Sequence, residues 1–191
     1  YGINLTGGQA GLNLQKLSTD FEVHHINSDG VGCSGILVKT DPTCDPTTWR
    51  GNFTLRNAYV HHCRVRNVGC EGFYVGNSHY DVGVTKTCGG VSTLIYEHDL
   101  DNIEIAYNDV ADTDLDGIQV GGSKNAKIHH NRIVNVARTN TYAHEYLLQI
   151  GGGTEGALVY NNYLERGGSW AIVDGGGGNT IFNNICMDTP D

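Results

Sequence analysis

Apolar residues recur in this chain at alternating positions within short runs, not at helical spacing. In "NIEIAYNDVADTDLDGIQVGG", Ile103 and Ile105, and later Ile118 and Val120, alternate with polar residues. Gly, Asn and Asp separate the runs, so each run reads as a strand bounded by turns. The same frame returns along the chain. With anchors at Val23, Val60, Ile105, Ile128, Val159 and Ile181, the residue three further on is Asn108, Asn131, Asn162 or Asn184 in the last four. Five on stand Val65, Val110, Ile133, Leu164 and Cys186. Twelve on stand Gly35, Gly72 and Gly117 in the first three. The anchors are 37, 45, 23, 31 and 22 residues apart, and the shortest spacings define a unit of roughly 22 residues.

A repeat of this length built from short strands is one coil of a stacked, all-β solenoid, a parallel β-helix. The frame gives six or more recognisable coils and three longer insertions. Stacking at the strand spacing of about 4.8 Å sets equivalent residues above one another. Inward Ile, Val and Leu then form ladders. The Asn column is expected to hand amide hydrogen bonds from coil to coil at an αL corner, with glycines at the remaining positive-φ corners.

"DTDLDG" spells D-x-D-x-D-G, the opening of an EF-hand loop. Counted from Asp112, position twelve is Ser123 rather than Glu, and both flanks read as strands. The stretch occupies the slot of "GVGCSG" and "NVGCEG" in earlier coils, so it is first a turn. Its three carboxylates, Asp112, Asp114 and Asp116, are also the candidate ligands for a calcium ion.

Composition narrows the classes. The 191 residues are 39% hydrophobic and carry a net charge of −9, enough core for a single domain over 1–191 and no basic face for nucleic acid. No apolar run spans a membrane. The chain begins with Tyr1, starts directly in strand-like sequence and offers no amphipathic capping helix, which reads as a segment of a longer protein. Six cysteines are present: Cys33 and Cys70 share a slot in successive recognised coils, a stacked bond being sterically conceivable. Cys44 and Cys88 lie in two insertions and could pair, and Cys63 and Cys186 read as buried free thiols. With the sequons at Asn4 and Asn52, these point to an extracellular or cell-surface protein.

The insertions, residues 39–53, 77–102 and 137–149, are where function is expected, because loops on a rigid scaffold carry binding sites. They contain Trp49, His79, Tyr80, Tyr96, Tyr142, His144 and Glu145. Aromatic faces stack on sugar rings, while imidazoles and carboxylates bind hydroxyls or move protons. The strands after the glycine slot carry Tyr74, Gln119 and Gln149 outward, beside Glu71, Asp114 and Asp116, and this is the face expected to hold catalysis. Outer columns hold three His-His pairs, read as a stacked or solvated ladder rather than zinc ligands. Arg64, Asp109 and Arg132 form a further row, read as surface ion pairs.

The stretches "NAYVHHCRVRNVGCEGFYVG", "NIEIAYNDVADTDLDGIQVGG", "NAKIHHNRIVNV" and "GALVYNNYLERG" resemble the right-handed parallel β-helix proteins of the pectate-lyase-like superfamily, over about residues 20–188. The right-handed sense is implied by this resemblance. So is a secreted polysaccharide-active protein, foremost a lyase or related uronate-acting enzyme, with glycoside hydrolysis as another enzymatic outcome. Tyr142, His144 and Glu145 are the candidates for proton transfer, and Trp49, Tyr74, His79, Tyr80, Tyr96, Gln119 and Gln149 for the polysaccharide. The alternative is a non-catalytic glycan-binding or structural module, with further domains or subunits stacked on its ends.

Overall fold

The computed structural model describes residues 2–189. Three parallel sheets carry the chain. The first holds Ile3–Thr6, Ile26–Asp29, Arg64–Val68, Asp109–Thr113, Arg132–Val134, Tyr163–Glu165 and Ile185–Met187, in that spatial order. The second holds Leu12–Leu14, Ile36–Val38, Phe73–Gly76, Ile118–Gly121, Tyr146–Ile150 and Trp170–Asp174. The third holds Phe21–His24, Thr54–His61, Asp99–Ala106, Lys127–His129, Leu158–Tyr160 and Thr180–Phe182. The chain visits first, second and third sheet in turn and then returns to the first, one strand further along. This is consistent with a β-helix-like solenoid.

Strand pairing joins the six anchors in one row: Val23 to Val60, Val60 to Ile105, Ile105 to Ile128, Ile128 to Val159 and Val159 to Ile181. Val60, Ile105, Ile128 and Val159 are fully buried, as are Val65, Val110, Ile133 and Leu164 in the row five positions on. Each such side chain contributes about 1.5–3 kcal/mol of burial. Cys63 is a buried free thiol, but Cys186 is exposed. It keeps its inward slot opposite Leu164, and its strand is the last in the sheet, so no described strand covers it.

The asparagine column is a continuous buried ladder. Asn131 Nδ2 donates to Ile105 O at 2.9 Å and to Asn162 Oδ1 at 3.1 Å. Its Oδ1 accepts from Asn108 N and Asn108 Nδ2, both at 3.0 Å. Asn108 and Asn162 repeat the arrangement. The expected αL geometry falls elsewhere, on the residue just before: His25, His62, Tyr107, His130, Asn161 and Asn183 have φ of 52–58°. Asn131 and Asn162 are therefore each fixed by four amide hydrogen bonds, and Asn108 and Asn184 by three, not by tolerance of a strained φ.

The glycine slot is also explained differently from expectation. Gly35, Gly72 and Gly117 do not have positive φ; a Cβ at each would overlap a valine or isoleucine methyl and the carbonyl of the next coil. Close approach, not conformation, excludes a side chain there.

Disulfides join Cys33 to Cys70 and Cys44 to Cys88. The histidine pairs stack from coil to coil, with His25 over His62 at 5.6 Å and His62 over Tyr107 at 5.2 Å. Within each pair the Nδ1 atoms are 2.7–2.8 Å apart, one donating to the other. Asp109 pairs with Arg66 and Arg132 rather than with Arg64. Among the described residues, no helix is long and apolar enough to cross a membrane.

Replacing Asn131 with Ala strands a buried backbone carbonyl, a backbone N–H and two neighbouring amides. We expect a loss of about 3 kcal/mol or more in urea unfolding, whereas a change of the exposed Asn13 to Ala stays within about 0.5 kcal/mol.

Candidate functional site

The insertions flank one sheet. Residues 39–53 and 77–98 leave the chain between second- and third-sheet strands, while 137–145 lies between a first- and a second-sheet strand; the expected ends of the second and third insertions, 99–102 and 146–149, instead belong to strands Asp99–Ala106 and Tyr146–Ile150. They therefore wall the outer face of the second sheet from both sides. Between them lies a cleft of about 480 Å³ lined by Tyr74, Ser78, His79, Gln119, Ala143, His144 and Gln149.

The floor follows from strand alternation. Phe73 and Val75, Ile118 and Val120, and Leu148 and Ile150 are buried inward, which turns Tyr74, Gln119 and Gln149 outward in one paired row. Ser78, which the sequence did not single out, organises them. Its hydroxyl oxygen lies 2.6 Å from the Tyr74 hydroxyl and accepts from Gln119 Nε2 at 2.7 Å. Gln119 Oε1 and Gln149 Oε1 are buried without a hydrogen-bond partner. These amide oxygens are enclosed at the cleft floor with unused accepting capacity, and a ligand hydroxyl reaches them once the amides turn toward the cleft.

One position before the glycine slot, successive coils carry Ser34, Glu71 and Asp116. Glu71 and Asp116 are 4% and 0% exposed. Ser34 Oγ donates to Glu71 Oε2 at 2.9 Å, and the Tyr146 N–H donates to Asp116 Oδ1 at 2.8 Å. Their other oxygens, Glu71 Oε1 and Asp116 Oδ2, each stand 3.5 Å from His144 Nδ1. Burial pushes the Asp116 carboxyl up to about 7; the hydrogen bond from Tyr146 opposes this, and the neighbouring Glu71 and Glu145 charges add to it.

The aspartates of "DTDLDG" do not converge. Asp112 accepts from Asn135 Nδ2 at 2.6 Å, Asp114 pairs with Arg138 at 2.7 Å, and Asp116 faces His144. The turn separates their directions, and Asp112 holds the αL corner at φ 58°. Their donors do not form a shared oxygen cage for calcium.

The remaining candidates divide. Tyr142 is 89% exposed. Glu145 accepts the Ser169 hydroxyl hydrogen, away from the cleft lining. Tyr80 is an anchor: its hydroxyl donates to Asp99 at 2.5 Å, its ring lies 3.6 Å beneath the Arg50 guanidinium, and it fills space against Gly122 and Gly153. Burial, reinforced by the Asp99 hydrogen bond and charge, pushes its phenol up to about 12. Trp49 and Tyr96 line a separate cleft of about 360 Å³ with Arg50, Gly51, Leu94 and Ile95. It lies against the antiparallel hairpin Val84–Cys88 and Val91–Ile95, which the Cys44–Cys88 disulfide ties to the first insertion.

Comparison with known proteins finds no matching family model, curated protein or solved structure.

The Asp116 carboxyl has a raised folded-state pKa, so the folded state holds its proton more tightly than the unfolded chain. Its stabilising contribution is present below about pH 4 and is lost as pH rises through about 7. Asp116→Asn keeps the acceptor for Tyr146 N–H and removes the buried charge. We expect this variant to be more stable than the parent at pH 8, by roughly 2 kcal/mol, and little different at pH 4, in denaturant unfolding at the two pH values.

Proposed function

We propose that the protein is a secreted or cell-surface polysaccharide-active protein, built as a right-handed parallel β-helix of the pectate-lyase-like kind. It acts as a lyase or related uronate-acting enzyme in the cleft on the second sheet. The observation that carries this is the cleft's lining: a row of Tyr74, Gln119 and Gln149 with unused amide oxygens, between two histidines from opposite insertions. Such a row runs across the strands and matches an extended chain whose hydroxyls repeat. Lys39 Nζ lies 4.1 Å from the Tyr74 ring centroid and is ion-paired with Asp41 at 2.9 Å. Glu71 and Asp116 stand behind His144 and do not line the cleft, so the carboxylate pair of a glycoside hydrolase is not presented to a ligand. Two disulfides support an oxidising, extracellular setting. Calcium enters only as a dependence to be checked, since the aspartates of "DTDLDG" diverge.

A non-catalytic glycan-binding or structural module is the second reading. The exposed Ile181, Phe182, Ile185 and Met187 favour it, because they offer an apolar surface on which a further domain or subunit could stack.

The two separate on incubation with a panel of polysaccharides, with and without a chelator, followed by mass spectrometry. A uronate-containing polymer is expected to give shorter chains carrying an unsaturated end, with no water added. Hydrated products would indicate a hydrolase instead. Binding without any product would favour the module.

A further inference from the structure

Glu71 and Asp116 are arranged alike. Each has one oxygen anchored from behind, by the Ser34 hydroxyl and the Tyr146 N–H, and one turned to the same imidazole nitrogen. Neither reaches the cleft, whereas His144 lines it. His144 Nδ1 is buried and, at 3.5 Å from each carboxylate, makes no hydrogen bond in this structure, which leaves the ring edge bearing Nε2 for the cleft. His79 lines the same cleft from the other insertion.

The geometry points to a two-histidine proton-transfer cleft in which His144 is the catalytic base, His79 the catalytic acid, and Glu71 and Asp116 positioning residues for His144. This rests on the reading of the cleft as uronate-active. A carboxylate accepts hydrogen, so Glu71, joined by Asp116 once it ionises above about pH 7, favours the N–H of His144 on Nδ1 and turns the Nε2 lone pair toward the ligand. The 3.5 Å separations are long for hydrogen bonds, and catalytic contacts of this kind commonly tighten when the ligand arrives.

The step balances without a cofactor. His144 Nε2 takes the proton from the ring carbon next to the uronate carboxylate. The electron pair of that C–H bond becomes a carbon–carbon double bond as the neighbouring bond to the glycosidic oxygen breaks. The leaving oxygen takes a proton from the His79 imidazolium. One chain ends unsaturated, the other in a free hydroxyl, and no water is consumed. Both histidines then exchange protons with solvent. The buried carboxylates offset the positive charge that His144 gains as the proton moves.

Two measurements test this. The first needs no substrate: nitrogen NMR of protein labelled at histidine, with the His144 signals assigned by their loss in His144→Gln. The neutral ring is expected to carry its hydrogen on Nδ1. A hydrogen on Nε2 would overturn the assignment. The second uses polygalacturonate, alginate and hyaluronan as probes and follows the ultraviolet absorbance of the unsaturated product. His144→Ala is expected to lower kcat about 10²- to 10⁴-fold, with partial rescue by imidazole in the buffer. Asp116→Asn is expected to lower kcat at least about tenfold with KM within about twofold, since it removes positioning and charge but leaves the cleft lining intact. A His144→Ala variant at the parental rate overturns the inference and leaves the uronate reading standing. Failure of the parent protein to act on any of the three polymers overturns both.

Discussion

The register between successive coils is the constraint on which the rest of this structure depends. Parallel pairing sets each residue above its equivalent, so whatever one coil does at a position its neighbours must accommodate. Inward positions become apolar columns such as Val60, Ile105, Ile128 and Val159. A buried asparagine is costly alone, but stacked it satisfies its neighbour and is satisfied in turn, as Asn108, Asn131, Asn162 and Asn184 are. A column in which one backbone lies against the next can hold only glycine, as at Gly72 and Gly117.

The same register builds the cleft. Segments that break the period cannot enter the stack, so they leave it at the corners. Two leave on one side of the second sheet and one on the other, and the outward row between them becomes a walled floor. One position before the glycine column, Glu71 and Asp116 are carried into burial by the coil path, and the third insertion brings His144 over them. Asp116 is buried against its own charge, a local cost sustained by the surrounding stack, and such conflicts between stability and ionisation are concentrated at functional sites.

Much of this was legible in the sequence, and for a physical reason. A repeated slot is a repeated environment, so the anchors, the asparagine column, the stacked histidines and the Cys33–Cys70 pairing could be read by counting. The outward row Tyr74, Gln119 and Gln149 was read in the same way, with Glu71, Asp114 and Asp116 expected beside it; that His79 and His144 line it follows from how the insertions fold, not from a counted slot. The reasons behind two slots were not: αL geometry belongs to the residue before each ladder asparagine, and the glycine slot reflects contact rather than φ. Within the insertions there is no repeat to count. That Tyr80 turns under Arg50 as an anchor, and that Trp49 and Tyr96 line another cleft, depends on how the hairpin packs. Ser78 had no signal beyond being next to His79. The aspartates of "DTDLDG" look like one cluster on paper, yet a turn with an αL residue at Asp112 sends them in different directions.

The most direct test of the account is a crystal structure of the protein soaked with a polyuronate oligosaccharide. The account predicts a sugar chain lying across Tyr74, Gln119 and Gln149, with one uronate between His79 and His144. An oligosaccharide seated instead between Trp49 and Tyr96, with the second-sheet cleft empty at saturating ligand, would contradict it.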